Sequence, residues 1–313
     1  MSKNSLLYSV VIPVYKSENI LSETVKATVQ FFKKRRLNYE IILIDDNSPD
    51  KAWSIVKEFS KSDKNITGFK FIKNYGQHTA ILCGFEHAKG DYIITMDDDM
   101  QNPPGEIINL INKTKEGYDL VFGKFKSKKH AFYRKLGTKF IGYLNNKIFQ
   151  KPDNLTLSNF RIIHKSVIER LISYKTAYPY IPGLLLMFAA NPANAEVMHM
   201  PRKEGKSNYG FVKIMQLVSR ILFNYSTFPL KFMISIGFII AFLSFAVSVF
   251  FIVRSFFTQA KVPGWTSIVV ILSFFQGVSI LILGMLGEYI GRLVMQQSKG
   301  KAYHIKDSVN LHG

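Results

Sequence analysis

Residues 92–104 read YIITMDDDMQNPP, an apolar run that leads directly into three consecutive aspartates, Asp97, Asp98 and Asp99. The run at 92–96 has the length and composition of a buried β-strand. Three carboxylates at the end of such a strand repel one another, which favours a bound divalent cation over the alternative, a solvated turn. Oxygen ligands are those that Mg²⁺ and Mn²⁺ prefer, so the stretch predicts a metal site.

A second acidic strand end precedes this one in the chain. Residues 39–44, YEIILI, form another apolar run and are followed by Asp45, Asp46 and Asn47. In open α/β sheets, ligands bind outside the carboxyl ends of the strands. Two acidic strand ends at that edge therefore indicate a binding site, although a single acidic end can also cap a helix, a role that Asp50 can fill here.

Residues 1–125 alternate between strand-like and helix-like patterns, which are recognised by apolar runs and by helical spacing. We expect strands at 8–13, 39–44, 69–72, 92–96 and 118–122, and helices at 20–32, 52–59 and 77–88. Ser17 is expected to cap the first helix. Alternation of this kind implies an α/β fold with a parallel sheet that is covered by helices on both faces.

The usual phosphate-binding loops are missing from the sequence, which contains neither GxGxxG nor GxxxxGK[ST]. A carboxylate cluster by itself repels phosphate, whereas a metal ion held by such a cluster attracts it. The sequence therefore indicates nucleotide binding through a metal bridge rather than a dinucleotide-binding or P-loop fold.

The chain is basic and apolar at the same time. Its 313 residues carry 41 Lys and Arg against 22 Asp and Glu, a net charge of +19, and its mean hydropathy is +0.07. Such basicity fits either nucleic acid or an anionic membrane surface.

A single cysteine, Cys83, excludes a disulfide scaffold and a multi-cysteine zinc site. The hydrophobic share of 47% excludes a disordered chain.

Two long uncharged runs follow late in the chain, at 232–253 and 262–287. A helix over the first run is about 33 Å long, enough to cross a hydrocarbon core of about 30 Å, so we predict a transmembrane hairpin. Lys and Arg before and after the runs predict that both ends lie in the cytoplasm. Because the basic residues gather beside these runs, a membrane is the favoured partner over nucleic acid.

Several motifs resemble those of glycosyltransferase family 2, and most closely those of its polyprenyl-phosphate glycosyltransferases. They extend over nearly the whole chain as VIPVY at 11–15, IDDNS at 44–48, NYGQH at 74–78, DDDMQNPP at 97–104, Arg202 with GKS at 205–207, PL at 229–230 and LGEYIGR at 286–292. Each motif is weak by itself, whereas their order and spacing are specific. The runs around Gln77 and at 180–182 are most similar to the branch that transfers formyl-aminoarabinose.

The resemblance implies a GT-A fold, the Rossmann-like architecture of nucleotide-diphospho-sugar transferases, followed by interfacial helices and a two-helix transmembrane hairpin. It also implies an enzyme that moves one sugar, with inversion, from a nucleotide sugar to undecaprenyl phosphate or another polyprenyl phosphate. The expected donor is a UDP-sugar, and the expected cofactor is Mg²⁺ or Mn²⁺. Relatives suggest a homo-oligomer in the inner membrane of a bacterium, with several spans, a cytoplasmic catalytic domain and no nucleic-acid partner.

Four regions follow from these patterns. We expect the catalytic GT-A domain at 1–205, an interfacial amphipathic helix at 206–230, two transmembrane helices within 231–290 (about 232–253 and 264–287) and a cytoplasmic tail at 291–313. Aromatic and basic residues mix in a similar way at 132–149. Basic amphipathic helices of this kind suit a membrane interface, and packing against the catalytic domain is the alternative.

Residue by residue, the resemblance implies overlapping sites for donor, metal and lipid. The expected nucleotide-sugar contacts are Pro13, Tyr15, Glu18, Ile44, Asp46, Asp97, Asp98, Lys126 and Arg202. Asp97 and Asp99 form the DxD motif, and the expected metal ligands are Asp99 and Gln101. The expected catalytic residues are Asp97, Asp99, Asn159 and Arg161. Arg202 and Lys206 are expected to hold the lipid phosphate.

Four positions depart from the family pattern. They are Ser17 in place of a common Glu, Lys126 in place of Arg, Asn208 in place of Lys, and Asn159 in place of the Asp that precedes Phe-Arg. In relatives that Asp is a candidate general base. A lipid phosphate has a second pKa of about 6, so it is already a nucleophile at pH 7 and gains little from a carboxylate base. The enzyme interpretation therefore survives Asn159.

Three other interpretations stay open. Ser17, Asn159 and Asn208 favour a non-catalytic membrane scaffold or lipid-binding subunit with a decayed glycosyltransferase fold. A processive polysaccharide synthase has a similar first domain, but it carries a QxxRW motif and more spans, which this sequence lacks. Nucleic-acid binding fits the charge, although the sequence contains no recognisable binding module.

Overall fold

The sequence folds into an α/β unit and a helical unit in the structure, a computed structural model that describes residues 6–125, 132–176, 178–198, 200, 211–257, 264–297 and 302–310. The α/β unit comprises Met1–Phe211 and Gly300–Gly313. The helical unit comprises Val212–Lys299. The α/β unit thus contains two pieces of chain that are far apart in the sequence.

One mixed sheet organises the α/β unit. Its strands are β1 (Leu7–Val14), β2 (Asn38–Asp45), β3 (Ile66–Phe71), β4 (Tyr92–Thr95), β5 (Leu120–Phe125), β6 (Arg161–His164), β7 (Pro192–Val197) and β8 (Ile305–Val309). Their spatial order is β7-β5-β6-β4-β1-β2-β3-β8. The helices of this unit are α1 (Leu21–Arg35), α2 (Ala52–Ser62), α3 (Gln77–His87), α4 (Ile107–Thr114), α5 (Phe132–Phe149), α6 (Lys165–Ser173) and α7 (Ile181–Phe188).

β1 lies inside the sheet because its residues are apolar on both faces. Every residue of β1 after Leu7 is buried. The strand pairs in parallel with β2 and β4, so that Val11 lies beside Ile42 on one side and Thr95 on the other. Burial on both faces is what makes inner parallel strands read as continuous apolar runs in a sequence.

The five strands expected in residues 1–125 are present, but the sheet is not purely parallel. β1 to β4 pair in parallel among themselves. β6 lies between β4 and β5, which point the same way, and it runs antiparallel to both. β8 is antiparallel to β3. β5 and β7 also pair in parallel, so the expected parallel sheet is interrupted only by the antiparallel strands β6 and β8 among the described residues.

The first helix begins later than the sequence suggests. α1 starts at Leu21, and Ile20 precedes it without a side-chain cap. Ser17 accepts the N–H groups of Ile20 and Leu21 through its carbonyl, at 3.1 and 2.9 Å. The expected cap by the Ser17 hydroxyl is wrong, because that hydroxyl lies beside Asp98 instead. Asp50 does cap its helix and accepts the N–H of Ala52 at 3.2 Å.

A strand near the end of the chain completes the sheet, where the sequence predicts only a tail. β8 pairs with β3, and Trp53 Nε1 donates to Asp307 Oδ2 at 3.2 Å. Asn310 Nδ2 donates to the carbonyl of Ile66 at 2.8 Å. The Tyr303 ring is buried, with its centre 5.0 Å from that of Phe71. Residues 302–310 are therefore part of the α/β unit.

The helical unit consists of α8 (Phe211–Tyr225), α9 (Phe228–Phe257) and α10 (Trp265–Gln297). Among the described residues, Phe274–Gly291 is long and apolar enough to cross a membrane. A second apolar stretch, Met215–Tyr225 with Phe228–Ile240, is bent by 78° between its two helices. Phe238 and Phe242 are 74% and 71% exposed, as is typical of side chains that face lipid or a partner.

Candidate active site

Three turns at the carboxyl ends of β1, β2 and β4 lie side by side. The N–H of Asp46 donates to the carbonyl of Val14 at 3.0 Å, which joins the first two turns. Lys16, Asn47 and Met100, one in each turn, have φ values of 56°, 55° and 58°. Non-glycine residues rarely adopt this left-handed conformation, and its repetition at one edge of the sheet marks a candidate functional site.

Asp98, the middle aspartate of the triplet, is turned inward. Its Oδ2 accepts the N–H of Tyr15 at 3.2 Å, and its carbonyl accepts the Thr24 hydroxyl at 2.9 Å. Burial raises the pKa of Asp98 to about 7, while the Ser17 hydroxyl and the Tyr15 N–H act in the opposite direction. Asp98 therefore fixes the turn after β1 to the turn after β4.

Asp97 lies among polar side chains from three elements. Its Oδ1 accepts Gln77 Nε2 at 2.6 Å and Asn159 Nδ2 at 3.4 Å. Within the described part of the chain, no hydrogen bond reaches Oδ2. Burial raises the pKa of Asp97 to about 6, the charge of Asp99 raises it further, and Asn159, Arg161 and Gln77 lower it. One carboxylate oxygen of Asp97 is therefore held by the protein, and the other is left for a ligand.

Asp99 and Gln101 form the next part of the same turn. Asp99 Oδ1 accepts the N–H of Gln101 at 3.1 Å, and the carbonyl of Gln101 accepts the N–H of Met200 at 2.9 Å. These contacts tie the turn to itself and to the segment after β7. The side chains of Asp99 and Gln101 supply the oxygen donors that hard divalent cations prefer.

The acidic turn fits a divalent cation as an open site. No group of three His, Cys, Asp or Glu side chains among the described residues forms a complete metal site. Mg²⁺ does not require one, because one or two carboxylates suffice when substrate phosphates and water complete the shell. Asp97 and Asp99 repel each other and raise the pKa of Asp97. A cation relieves this repulsion, so the donor set present fits Mg²⁺ or Mn²⁺.

Arg161 is fully buried beside Asp97. Its Nε donates to the Thr95 hydroxyl at 3.0 Å, and its guanidinium carbon lies 6.0 Å from the centre of the Phe122 ring. Its two terminal nitrogens have no hydrogen-bond partner among the described residues. Burial lowers the pKa of Arg161 to about 10, and the charge of Asp97 opposes that change. The resemblance implies a catalytic residue here, whereas the burial implies that Arg161 acts through Asp97.

Asp46, at the end of β2, uses both carboxylate oxygens within the protein. Oδ1 accepts the N–H of Tyr75 at 2.6 Å, and Oδ2 accepts the N–H of Gly76 at 2.8 Å. Burial raises the pKa of Asp46 to about 6 even though both N–H groups lower it. The resemblance implies a base or ribose contact for Asp46, and in the structure its carboxylate holds the loop that precedes α3.

The other expected nucleotide contacts differ in accessibility. Tyr15 is 41% exposed, whereas Pro13 and Ile44 are buried within β1 and β2. The Ile44 side chain packs against α3. Glu18 Oε2 accepts the N–H of Lys51 at 2.9 Å, at the start of α2. Of these four residues, Tyr15 is therefore the best placed to stack on a nucleotide base.

Several expected residues cannot be located in the structure. Lys126, Arg202, Lys206 and Asn208 lie outside the described residues, and their roles stay predictions. Two residues that contact the aspartate triplet, Gln77 and Ser17, are not among the expected site residues. Gln77 follows the third strand in a strand-to-helix turn, and that position at the same edge of the sheet is the signal by which it could have been recognised.

A separate cleft of about 640 Å³ lies between α1 and α2, away from the acidic turns. Its lining residues are Lys26, Val29, Gln30, Lys33, Lys34, Phe59, Ser62, Asp63 and Ile66. Ile66 begins β3, so the cleft is near the amino ends of the strands, whereas ligands of open α/β sheets bind at the carboxyl ends. The acidic edge therefore remains the candidate active site.

Comparison with known proteins agrees with this geometry. Residues 9–172 match glycosyl transferase family 2. The chain is 33% identical to the undecaprenyl-phosphate 4-deoxy-4-formamido-L-arabinose transferase of Shewanella sediminis (strain HAW-EB3), over 98% of this chain and 93% of that protein. It is 32% identical to the protein of the same name from Proteus mirabilis (strain HI4320), over 97% and 94%. The chain therefore belongs to glycosyl transferase family 2 and is a glycosyltransferase, which confirms the enzyme interpretation.

A solved structure shows the same architecture. Glucosyl-3-phosphoglycerate synthase from Mycobacterium tuberculosis, in complex with Mn²⁺, UDP and phosphoglyceric acid, matches with a TM-score of 0.51 and 16% identity, over 70% of this chain and 76% of that chain. A likeness at this identity concerns the fold alone. Together with the family match it confirms the expected GT-A, Rossmann-like fold.

Proposed function

We propose that this glycosyltransferase moves a single sugar from a nucleoside-diphosphate sugar, with UDP as the expected nucleotide, to undecaprenyl phosphate. The relatives from Shewanella and Proteus support this acceptor, because they carry that activity in their names and match nearly the whole chain. Their names also favour 4-deoxy-4-formamido-L-arabinose as the sugar. The observation that carries the proposal is the acidic turn at the carboxyl edge of the sheet, where Asp97 keeps one oxygen available.

The donor is held at this edge by residues with distinct tasks. Asp97, Asp99 and Gln101 are the proposed holders of Mg²⁺ or Mn²⁺. When bound, such a cation offsets the charge that develops on the diphosphate leaving group. Asp98 keeps the turn in place, and Tyr15 offers its exposed ring to the base. The acidic edge of the sheet thereby fixes the leaving group before the acceptor arrives, and positioning of this kind supplies a large part of the rate.

The acceptor phosphate is itself the nucleophile. One phosphate oxygen forms a bond to the anomeric carbon while the bond from that carbon to the diphosphate breaks on the opposite face, so the configuration inverts. Asn159 Nδ2, which is 3.4 Å from Asp97 Oδ1, can donate to the phosphate or to a sugar hydroxyl but takes no proton. The lipid phosphate is also the proposed ligand of Arg202 and Lys206, which follow β7 in the sequence.

The proposed location is the cytoplasmic face of a bacterial inner membrane. α9 and α10 have 30 and 33 residues and overlap the spans predicted at 232–253 and 264–287. About 20 residues suffice to cross a bilayer. The pairing of β3 with β8 supports a topology in which the chain enters and leaves the proposed membrane on the same side. This requires an even number of crossings, which two spans satisfy.

The test is a transfer assay with the full-length chain in lipid nanodiscs. Radiolabelled UDP-sugars, including the formamido-arabinose compound, are offered with undecaprenyl phosphate and Mg²⁺ or Mn²⁺, and label in the organic phase is counted. We expect label to enter the lipid only when both the polyprenyl phosphate and the divalent cation are present. No transfer from any donor, by protein that binds UDP in the presence of Mn²⁺, would contradict the proposal.

A further inference from the structure

Gln77 connects the two acidic strand ends of the site. It is the first residue of α3, and its Nε2 donates to Asp97 Oδ1 at 2.6 Å. The second hydrogen bond to the same oxygen, from Asn159, is much longer at 3.4 Å. Gln77 is therefore the residue that determines where this oxygen of Asp97 lies.

The loop before Gln77 is fastened to the other strand end. Asp46 accepts the consecutive N–H groups of Tyr75 and Gly76, and its carbonyl accepts Asn74 Nδ2 at 3.3 Å. Gly76 has a φ of 90°, a conformation that favours glycine and lets both N–H groups point at one carboxylate. The loop directly before Gln77 is thus held by three hydrogen bonds to Asp46, the residue that follows β2.

The middle of α3 packs closely against the sheet. A Cβ atom on Gly84 would lie 2.2 Å from Val11 Cγ1, so the helix approaches β1 as only a glycine allows. At the far end of α3, Glu86 accepts a hydrogen bond from the buried Tyr303 hydroxyl. The His87 ring lies 4.3 Å from the ring of Phe69 in β3. Anchored at its start, middle and end, α3 cannot rotate or slide without breaking packed contacts.

We propose that Gln77 is a positioning residue for Asp97, and that α3 acts as a rigid strut between the Asp46 loop and the aspartate triplet. The side-chain amide fixes Oδ1 of Asp97 and leaves Oδ2 for the cation that the donor diphosphate requires. This role rests on the proposed function. It assigns Gln77 no contact with the reacting atoms.

The experiment compares UDP affinity with and without Mn²⁺, by calorimetry, for the full-length chain and two variants. In Gln77→Ala we expect the Mn²⁺-dependent affinity to fall about tenfold, the usual effect of losing a group that orients a metal ligand. In Gln77→Glu we expect a smaller fall, because the added carboxylate attracts the cation and offsets part of the lost orientation. In Gln77→Ala, metal-free UDP affinity and Tm are expected to stay unchanged. Gln30, an exposed glutamine on α1, provides the matched controls Gln30→Ala and Gln30→Glu, which are expected to match the wild type.

Two outcomes would overturn the inference. One is a Gln77→Ala variant with wild-type Mn²⁺-dependent affinity, and the other is an equal loss of metal-free and Mn²⁺-dependent affinity together with a lower Tm, as a merely structural residue would give. Hydrogen exchange of residues 97–101 in metal-free protein tests the same role without any ligand. We expect faster exchange in Gln77→Ala, and unchanged exchange would contradict the inference even if the wild type bound no UDP, a result that would count separately against the proposed function.

Discussion

The two acidic strand ends of the sheet look alike in sequence but use their carboxylates in opposite ways. After β2, three of the four carboxylate oxygens accept hydrogen bonds within the described residues, and the fourth, Asp45 Oδ2, is buried beside the Lys70 ammonium group. Asp45 accepts the N–H of Ser48 at 3.1 Å and lies 3.5 Å from Lys70 Nζ, and Asp46 holds two backbone N–H groups. This strand end therefore serves the architecture of the turn and of α3.

After β4, the triplet is only partly engaged. Asp98 is turned inward, whereas Asp97 has both of its hydrogen bonds on one oxygen. The charges of Asp97 and Asp99 remain close to each other, and this repulsion raises the pKa of Asp97. The difference makes the strand end after β4 the better candidate for a ligand site, because its carboxylates are less completely satisfied by the protein, although both strand ends are acidic.

The largest effect is expected for Asp97→Asn, which tests whether the strand end after β4 serves a ligand rather than the fold. We expect sugar transfer to fall at least about 100-fold, because a proposed ligand of the cation is lost. We also expect the metal-free Tm to change little, because the relief of repulsion with Asp99 is offset by the loss of the charge that faces the buried Arg161. Transfer assays and differential scanning fluorimetry measure the two effects. Glu116→Gln, on an exposed glutamate, is the control, and a lower metal-free Tm for Asp97→Asn would show that Asp97 is architectural.

The reciprocal change is Asp46→Ala, at the architectural strand end. We expect the amides of Tyr75 and Gly76 to exchange at least about tenfold faster, because each loses its acceptor, which costs about 1 to 3 kcal/mol per buried group. Transfer should fall about tenfold as Gln77 loses its support. Hydrogen exchange read out by mass spectrometry tests this, with Asp97→Asn as the comparison that leaves both amides protected. Unchanged exchange would remove the distinction between the strand ends.

The pH dependence of stability tests whether Asp46 serves the fold. The pKa of Asp46 is raised from 3.8 to about 6, so the folded state binds its proton more tightly than the unfolded state does. Asp46 therefore contributes stability that is fully present below about pH 4 and is lost as the pH rises through about 6, on the order of 3 kcal/mol in total. We expect the metal-free Tm to fall by a few degrees between pH 5 and pH 7.5, and to fall less in Asp46→Asn. An identical slope in the variant would rule out this origin.

The smallest effect is expected for Asn159→Asp, which restores the carboxylate found in relatives. Because a lipid phosphate is mostly dianionic at pH 7, a base adds little, and we expect kcat to change less than about threefold. A third acidic group beside Asp97 should also lower the Mn²⁺ concentration needed for half-maximal rate or leave it unchanged, because it attracts the cation. Steady-state transfer kinetics decide the matter, and a gain above about tenfold would mean that the reaction needs a base.

The first half of the α/β unit could be predicted because its signals are strong. β1, β2 and β4 are buried on both faces and read as apolar runs, and each is followed by a turn of polar residues. β7 (PANAEV) and β8 (IKDSV) have no such pattern, because they lie at the two edges of the sheet and keep exposed residues. Edge strands are specified by their neighbours rather than by their own hydrophobicity, so a local pattern cannot find them.

The candidate active site, too, could be predicted from the sequence only where its signal is local. The triplet at the end of β4 was predictable from three adjacent aspartates, and its position at the carboxyl edge follows from the parallel strands. Which aspartate turns inward depends on the N–H of Tyr15 and the Ser17 hydroxyl, which come from another strand end. The burial of Arg161 depends on Phe122 and Thr95 from two further strands. Contacts across the sheet leave no local trace in the sequence.

β8 has a consequence for the order of synthesis. The sheet lacks this edge strand until the ribosome has made the residues that follow both long helices. Until then β3 presents unpaired N–H and C=O groups, and an open edge of this kind is a template for pairing with other chains. A fragment that stops before α8 keeps that edge open, so it should self-associate along β3. The two long helices therefore separate the rest of the sheet in the sequence from the strand that completes it, and both are synthesised before the sheet is finished.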